Sequence, residues 1–294
     1  MSFAIEAAII LVDQFDKAIA DYQTLLASAP IISDPIISGP SASAPSIQAP
    51  NIQAPSDYEP RSDPRSDPRS DPRSDPRLDP SEIRCAKFAL NNMWIDVIDM
   101  NSVPKDWQER YADQIRPGLF ALAFVPSPRA PNETMKGTDV AGLSVEQWRP
   151  SPSIPILTRS VPAPAPIKTA LAVDHVVVRT ADADRTDAVF GNDLGLRLAL
   201  RQNVEQWGGE MLFFRTQQMS IEVVANPSHD LMDSLWGIAY RCQDLDAEIA
   251  RLRSAGVTVS DRRVGRKPGT SVATVKSHTL DIPTLLIAHD GSQA

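Results

Sequence analysis

The stretch HVVVRTADADRTDAVFGNDLG, His175–Gly195, decides the fold. It opens as an apolar strand, passes through a polar turn, and continues as an amphipathic helix that starts near Asp184. An acidic residue at a helix start favours the positive end of the helix dipole. Gly195 stands where a helix C-cap needs a left-handed backbone. Two other stretches repeat the plan: IILVDQFDKAIADYQTLL, Ile9–Leu26, with Asp16 at the helix start, and GIAYRCQDLDAEIARLRSAG, Gly237–Gly256, with Asp246 there and Gly256 at the end. Segments of strand character follow each helix. After the His175 unit these are Leu196–Arg201, Glu210–Arg215 and Met219–Val224. After the Gly237 unit they are Val257–Ser260, Ser271–Val275 and Thr284–Ala288. The pattern is β-α-β-β-β, twice in succession, and self-similarity of this kind governs the architecture.

Working toward the N-terminus, the pattern wears thin. Ala86–Leu90 and Met93–Ile98 read as strands, and Gly118–Phe124 parallels Leu235–Tyr240, but the proline-rich stretch after it is a poor helix. Four units, two per domain, is the resulting count. Residues 30–82 form an insertion with a proline every fourth or fifth residue, ending in repeats of Arg-Ser-Asp-Pro. Such spacing removes backbone donors and leaves few apolar side chains to offset the entropy of ordering, so it predicts a disordered or polyproline-like segment. Arg and Asp cancel within each repeat, which excludes a basic arm. Ser153–Leu157 reads as an edge strand, and 161–167 as a linker between a degenerate domain at 1–160 and a better-preserved one at 168–290. The fold class expected is α+β, with tandem βαβββ units curling into half-barrel sheets.

The bulk composition narrows the function. A formal charge of −8 argues against a nucleic-acid partner, which needs concentrated Lys and Arg. The two cysteines, Cys85 and Cys242, form no CxxC and no disulfide framework. No secretion signal and no apolar run long enough to cross a bilayer is visible, so a cytoplasmic location with no membrane partner is the expectation.

Paired β-α-β-β-β units with His175 on a first strand and Glu222 on a last strand resemble the vicinal oxygen chelate superfamily, which includes glyoxalases, bleomycin-resistance proteins and extradiol-type dioxygenases. Val173–Val177, Gly191–Leu196 and Ser220–Val224 carry the resemblance, together with Asp244–Glu248 and the Gly265–Thr270 loop. It covers 168–290 well and 1–165 weakly, and it points to the glyoxalase-like branch. The resemblance implies a concave pocket for a small polar organic molecule, lyase, isomerase or dioxygenase-like chemistry, and a divalent metal held by first and last strands of both units. Here that ligand set is incomplete. His175 and Glu222 are the two metal candidates. Ala7, Ala121 and Gly237 occupy the positions corresponding to His175, while Asp96 stands where Glu222 does; Leu285, Leu286 or Ile287, and Leu157 or Thr158, fill the remaining acid positions, with His289 a little beyond as a group that could complete the set.

Without metal, His175 and Glu222 on one strand face form a catalytic acid–base pair. Trp207 and Tyr240 are expected to line the ligand site, with Arg266 and Lys267 in the loop between glycines offering cations to a carboxylate or phosphate. Cys242 reads as a buried thiol, and His229 and His278 as turn residues. Three functions stand: an enzyme acting through His175 and Glu222, a non-catalytic binder of the bleomycin-resistance type, and an interaction protein using the proline-rich insertion. A homodimer is compatible with each.

Overall fold

The computed structural model describes residues 3–33, 83–103, 105–126, 139–140, 143–145, 154–159, 169–230 and 232–289. The domain linker and most of the insertion lie outside these. The described residues hold two eight-stranded sheets. The first runs β1 (Phe3–Val12), β2 (Ile31–Ser33), β3 (Cys85–Ala89), β4 (Trp94–Asp99), β5 (Gly118–Pro126), β6 (Asp139–Val140), β7 (Leu143–Val145) and β8 (Ile156–Arg159). The second runs β9 (Ala172–Thr180), β10 (Arg197–Val204), β11 (Gly209–Arg215), β12 (Ser220–Ala225), β13 (Ser234–Arg241), β14 (Arg263–Val264), β15 (Thr270–Val275) and β16 (Thr284–His289).

Their strand orders are the same. The first reads β2-β3-β4-β1-β5-β8-β7-β6 and the second β10-β11-β12-β9-β13-β16-β15-β14. In each, the first strands of two units meet antiparallel at the centre, and each pairs in parallel with the last strand of its own unit. Both sheets are curled and open. β2 is formed by three residues that the sequence reading gave to the disordered insertion. β8 lies inside its sheet, between β5 and β7, and not at an edge. In the last unit the strand expected at 257–260 contributes one bridge, Val259 to Val275, and the edge strand forms at Arg263–Val264.

The helices are α1 (Phe15–Leu26), α2 (Lys105–Arg110), α3 (Ala183–Asp187), which runs on as a π-helical turn to Asp193, and α4 (Leu245–Ser254). The caps sit two residues ahead of the acidic residues picked from sequence: Asp182 accepts from the Arg185 N–H and Asp244 from the Ala247 N–H. Gly195 and Gly256 have φ of 65° and 82°, the left-handed backbone a helix end demands.

One face of each sheet packs on helices, and these two faces share a single core. Ala8, Ile10, Phe15 and Tyr22 of the first join Val176, Ile221, Tyr240 and Leu252 of the second. Arg251 on α4 locks the layers together. Its guanidinium donates to the Thr24 and Leu25 carbonyls at 3.1 and 2.7 Å, while buried Glu248 holds it at 2.6 Å. Those carbonyls end α1 and lack partners within the helix. Arg251→Met keeps the stem but removes every donor and strands the Glu248 charge. It is expected to cost about 1–3 kcal/mol in chemical denaturation.

Candidate functional site

The opposite faces of the two sheets differ, and the strand register shows how. On the second sheet His175, Val177 and Arg179 of β9 lie beside Ser220, Glu222 and Val224 of β12, all turned away from the helices. The corresponding positions on the first sheet are Ala7, Ile9 and Leu11 beside Trp94, Asp96 and Ile98. Across all four units the His175 position therefore holds Ala7, Ala121, His175 and Gly237. By register the Glu222 position holds Asp96, Leu157, Glu222 and Leu285. The third unit alone has both groups.

The first sheet's open face is filled from within. Trp107 of α2 is fully buried against Phe120, with ring centroids 6.1 Å apart, and Ala7, Ile9, Leu11 and Trp94 complete the cluster. Asp96 is buried there and bonded at 2.8 Å by Lys87 of the neighbouring strand. Phe213 occupies the place of Lys87 in the second sheet, directly across from Glu222. The Glu222 carboxylate therefore has no cation from its own hairpin and turns to His175 instead.

His175 Nε2 lies 3.5 Å from the Glu222 carboxylate. That is too long for a strong hydrogen bond, so both groups are free to engage a third. The other imidazole nitrogen, Nδ1, is 2.9 Å from Asp174, and the second Asp174 oxygen is 2.9 Å from His289 Nε2. Asp174 reaches the site because the β9–β13 register skips it: Val173 pairs Tyr240 and His175 pairs Ala239. This irregularity lets two consecutive residues serve one face. Burial by itself would raise the Asp174 carboxyl, but the two imidazoles bonded to it hold it well below the ordinary carboxylate range. Glu222 goes the other way. Burial pushes its carboxyl up, with the nearby charges of His175 and Arg266 opposing. Two carboxyls with pKa values driven apart around one imidazole is a common arrangement at acid–base sites.

The remaining sequence candidates divide. Arg266 in the Gly265–Thr270 turn acts electrostatically on Glu222, so this loop overlooks the site. Lys267 is exposed, and its carbonyl closes the turn by accepting from the Thr270 hydroxyl at 2.6 Å. Tyr240 is a correction. It is fully buried on the helix side of the sheet, in the core shared with Tyr22, and cannot line the pocket. Ordinary alternation along β13 turns it there, on the same side as Ile238. The Trp207 side chain lies outside the described residues. Cys242 is buried, and burial pushes its thiol up to about 11, which keeps it protonated and inert at neutral pH. Asp174 was missed by sequence reasoning as a site residue; His289, weighed there only as a group that could complete a metal site, lies in phase with Leu285 and Ile287 on β16 and reaches Asp174.

The donor set does not fit the metal centre that the resemblance implies. Among the described residues no three of His, Cys, Asp and Glu are grouped to hold an ion. Asp174 engages one nitrogen of His175 and one of His289, Leu285 offers nothing, and Gly237 has no side chain. A Cβ at Gly237 would meet the Pro283 carbonyl oxygen at 3.0 Å, so a ligand cannot be restored there without moving backbone. Gly237→Ala is expected to destabilise by about 1–3 kcal/mol, the cost of overpacking, measurable by thermal or urea unfolding.

Paired βαβββ units folded into two curled, open sheets define the fold class. Residues 174–274 match the model of the Glyoxalase/Bleomycin resistance protein/Dioxygenase superfamily. Among solved structures, a mutant of 4-hydroxymandelate synthase from Streptomyces coelicolor is 11% identical, with a TM-score of 0.62, covering 100% of this chain and 95% of its own. It shows that the two sheets together share its fold. Methylmalonyl-CoA epimerase from Mycobacterium tuberculosis is 20% identical over 40% of this chain and 87% of its own, with a TM-score of 0.35. No curated protein matches the chain. Among the described residues no helix is long and apolar enough to cross a membrane.

Proposed function

We propose that the second sheet, in a domain spanning 168–290, takes a small polar organic molecule on its open face and moves a proton on it, as an isomerase or lyase does. The observation that carries this reading is the convergence of His175 Nε2 and Glu222 at 3.5 Å, both about one-fifth exposed, over a half-buried Asp174. Asp174 holds the proton on Nδ1, so Nε2 presents its lone pair to the substrate as base. Glu222, raised by burial, supplies or receives a proton on the other side. Arg266 offers a cation for a substrate carboxylate or phosphate. Every step uses side chains of the chain itself.

The test is proton exchange. A panel of small oxo and hydroxy acids incubated with the protein in D2O is expected to show deuterium uptake by mass spectrometry for its substrate class. His175→Ala and Glu222→Gln should abolish the uptake. Uptake at the wild-type rate in both variants removes these residues from the mechanism.

A second reading, a non-catalytic binder of the bleomycin-resistance type, draws on Gly237 and Leu285, where the fourth unit offers no polar group. Saturable binding with no uptake of deuterium from any panel member selects it.

A further inference from the structure

A cleft of about 310 Å³, lined by neither His175 nor Glu222, lies where the end of β9 and the starts of β5 and β13 come together. We infer that it is a second ligand site, built for a small zwitterion of the α-amino-acid class with an apolar or aromatic side chain. Its volume is at the lower end for small-molecule pockets, which suits a ligand of that size.

Charge is the first argument. Arg116, Arg179, Asp230 and Asp281 all line the cleft, and among the described residues none of them forms an ion pair with a protein group. Four charges of both signs around one opening suit a ligand that carries both signs itself. A guanidinium matches a carboxylate in planar geometry, and an aspartate takes an ammonium. Lys17 on α1 feels the Asp281 charge but is bonded to Asp21 at 2.6 Å.

The second argument is the apolar wall. Trp236 lies on the cleft with 46% of its surface exposed, unusual for a tryptophan, and the Arg179 guanidinium stands 5.8 Å from its ring centroid. The indole face and Leu235 offer an aromatic or aliphatic side chain a surface to cover. A register shift between Leu235 and Gly237 is what turns Trp236 outward.

Backbone strain is the third. Four non-glycine residues among those described have positive φ, and three fall in the one turn that brings Asp281 to the cleft: His278 at 61°, Leu280 at 53° and Asp281 at 58°. A leucine adopts that region only when its surroundings impose it, and strained positions gather at ligand clamps. Here the strained turn sets the Asp281 carboxylate at the cleft mouth.

The experiment titrates full-length protein with L-phenylalanine and L-leucine, followed by calorimetry and tryptophan fluorescence. L-phenylalaninamide and N-acetyl-L-phenylalanine, which each lack one charge, are the controls. Saturable binding at one equivalent is expected, at least about 10-fold weaker for either derivative, the loss that follows from removing one charge-assisted contact. Arg179→Ala should weaken the free amino acids by a similar factor. Arg116→Ala and Asp230→Asn, both at exposed positions, repeat the test where folding is not at stake, while His175→Ala should leave the affinity unchanged. No saturable binding of either free amino acid, equal affinity for the singly charged derivatives, or loss of binding in His175→Ala would each overturn the inference.

Discussion

His175→Ala is expected to reduce turnover by about 10²–10⁴-fold, the span that a positioned general acid or base contributes. Glu222→Gln should fall in the same range, and the double variant should lose little more than either single one, because groups acting as a unit are strongly non-additive. Stability moves in the opposite direction. Burial raises the Glu222 carboxyl above its ordinary 4.5, so above that pH the folded state carries a carboxylate it disfavours. Glu222→Gln should therefore melt higher than wild type at pH 7, and the gain should vanish as pH falls through 4.5, where both states are neutral. Asp174 has the reverse sign. Its folded value lies below its ordinary 3.8, so its contribution to stability is present above that pH and is lost as pH falls toward the folded value. Asp174→Asn should accordingly melt lower than wild type at pH 7. Melting curves of the two variants from pH 3 to 8 check both signs; equal shifts in one direction would contradict the assigned environments.

Trp107→Ala is expected to destabilise by about 3–5 kcal/mol, the usual cost of removing a large aromatic side chain from a core. Trp107 is fully buried, stacks on Phe120, and plugs the open face of the first sheet. Trp107→Phe should cost less than half as much. It keeps a ring, and it deletes an indole N–H that finds no hydrogen-bond partner among the described residues. The alanine variant leaves an apolar cavity, which small apolar rings can enter. Added indole should recover part of the lost stability by mass action, read as a rise in the melting temperature of Trp107→Ala and none in wild type.

Much of this could be read from the sequence because strand alternation with period two assigns faces well. His175 opens the apolar run Val176–Val178 and Glu222 lies between Ile221 and Val223, and their sheet neighbours follow from the repeated unit. The reading failed where the period was not applied and where it breaks. Tyr240 was chosen as an aromatic, yet alternation along β13 from Gly237 already turns it, with Ile238, to the helix side. The extra residue on β9 opposite Ala239 and Tyr240 admits Asp174, which alternation would turn away from His175. Trp107 lies on a six-residue helix outside the repeat, and the strand residues it covers, Ala7, Ile9, Leu11, Trp94 and Phe120, are distant in sequence, so no local pattern marks it as a plug. The cleft escaped for a similar reason: its charges come from four separate turns and strand ends.

The Lys87–Asp96 pair under Trp107 and the bare Glu222 under Phe213 are two outcomes for one ancestral position. In the repeated architecture, the outer face of one sheet is closed by packing and that of the other is left open around the imidazole. Residues around the imidazole can therefore drift toward new chemistry while the closed copy keeps the molecule upright. A lineage built this way can change what it acts on without first finding a stabilising mutation elsewhere.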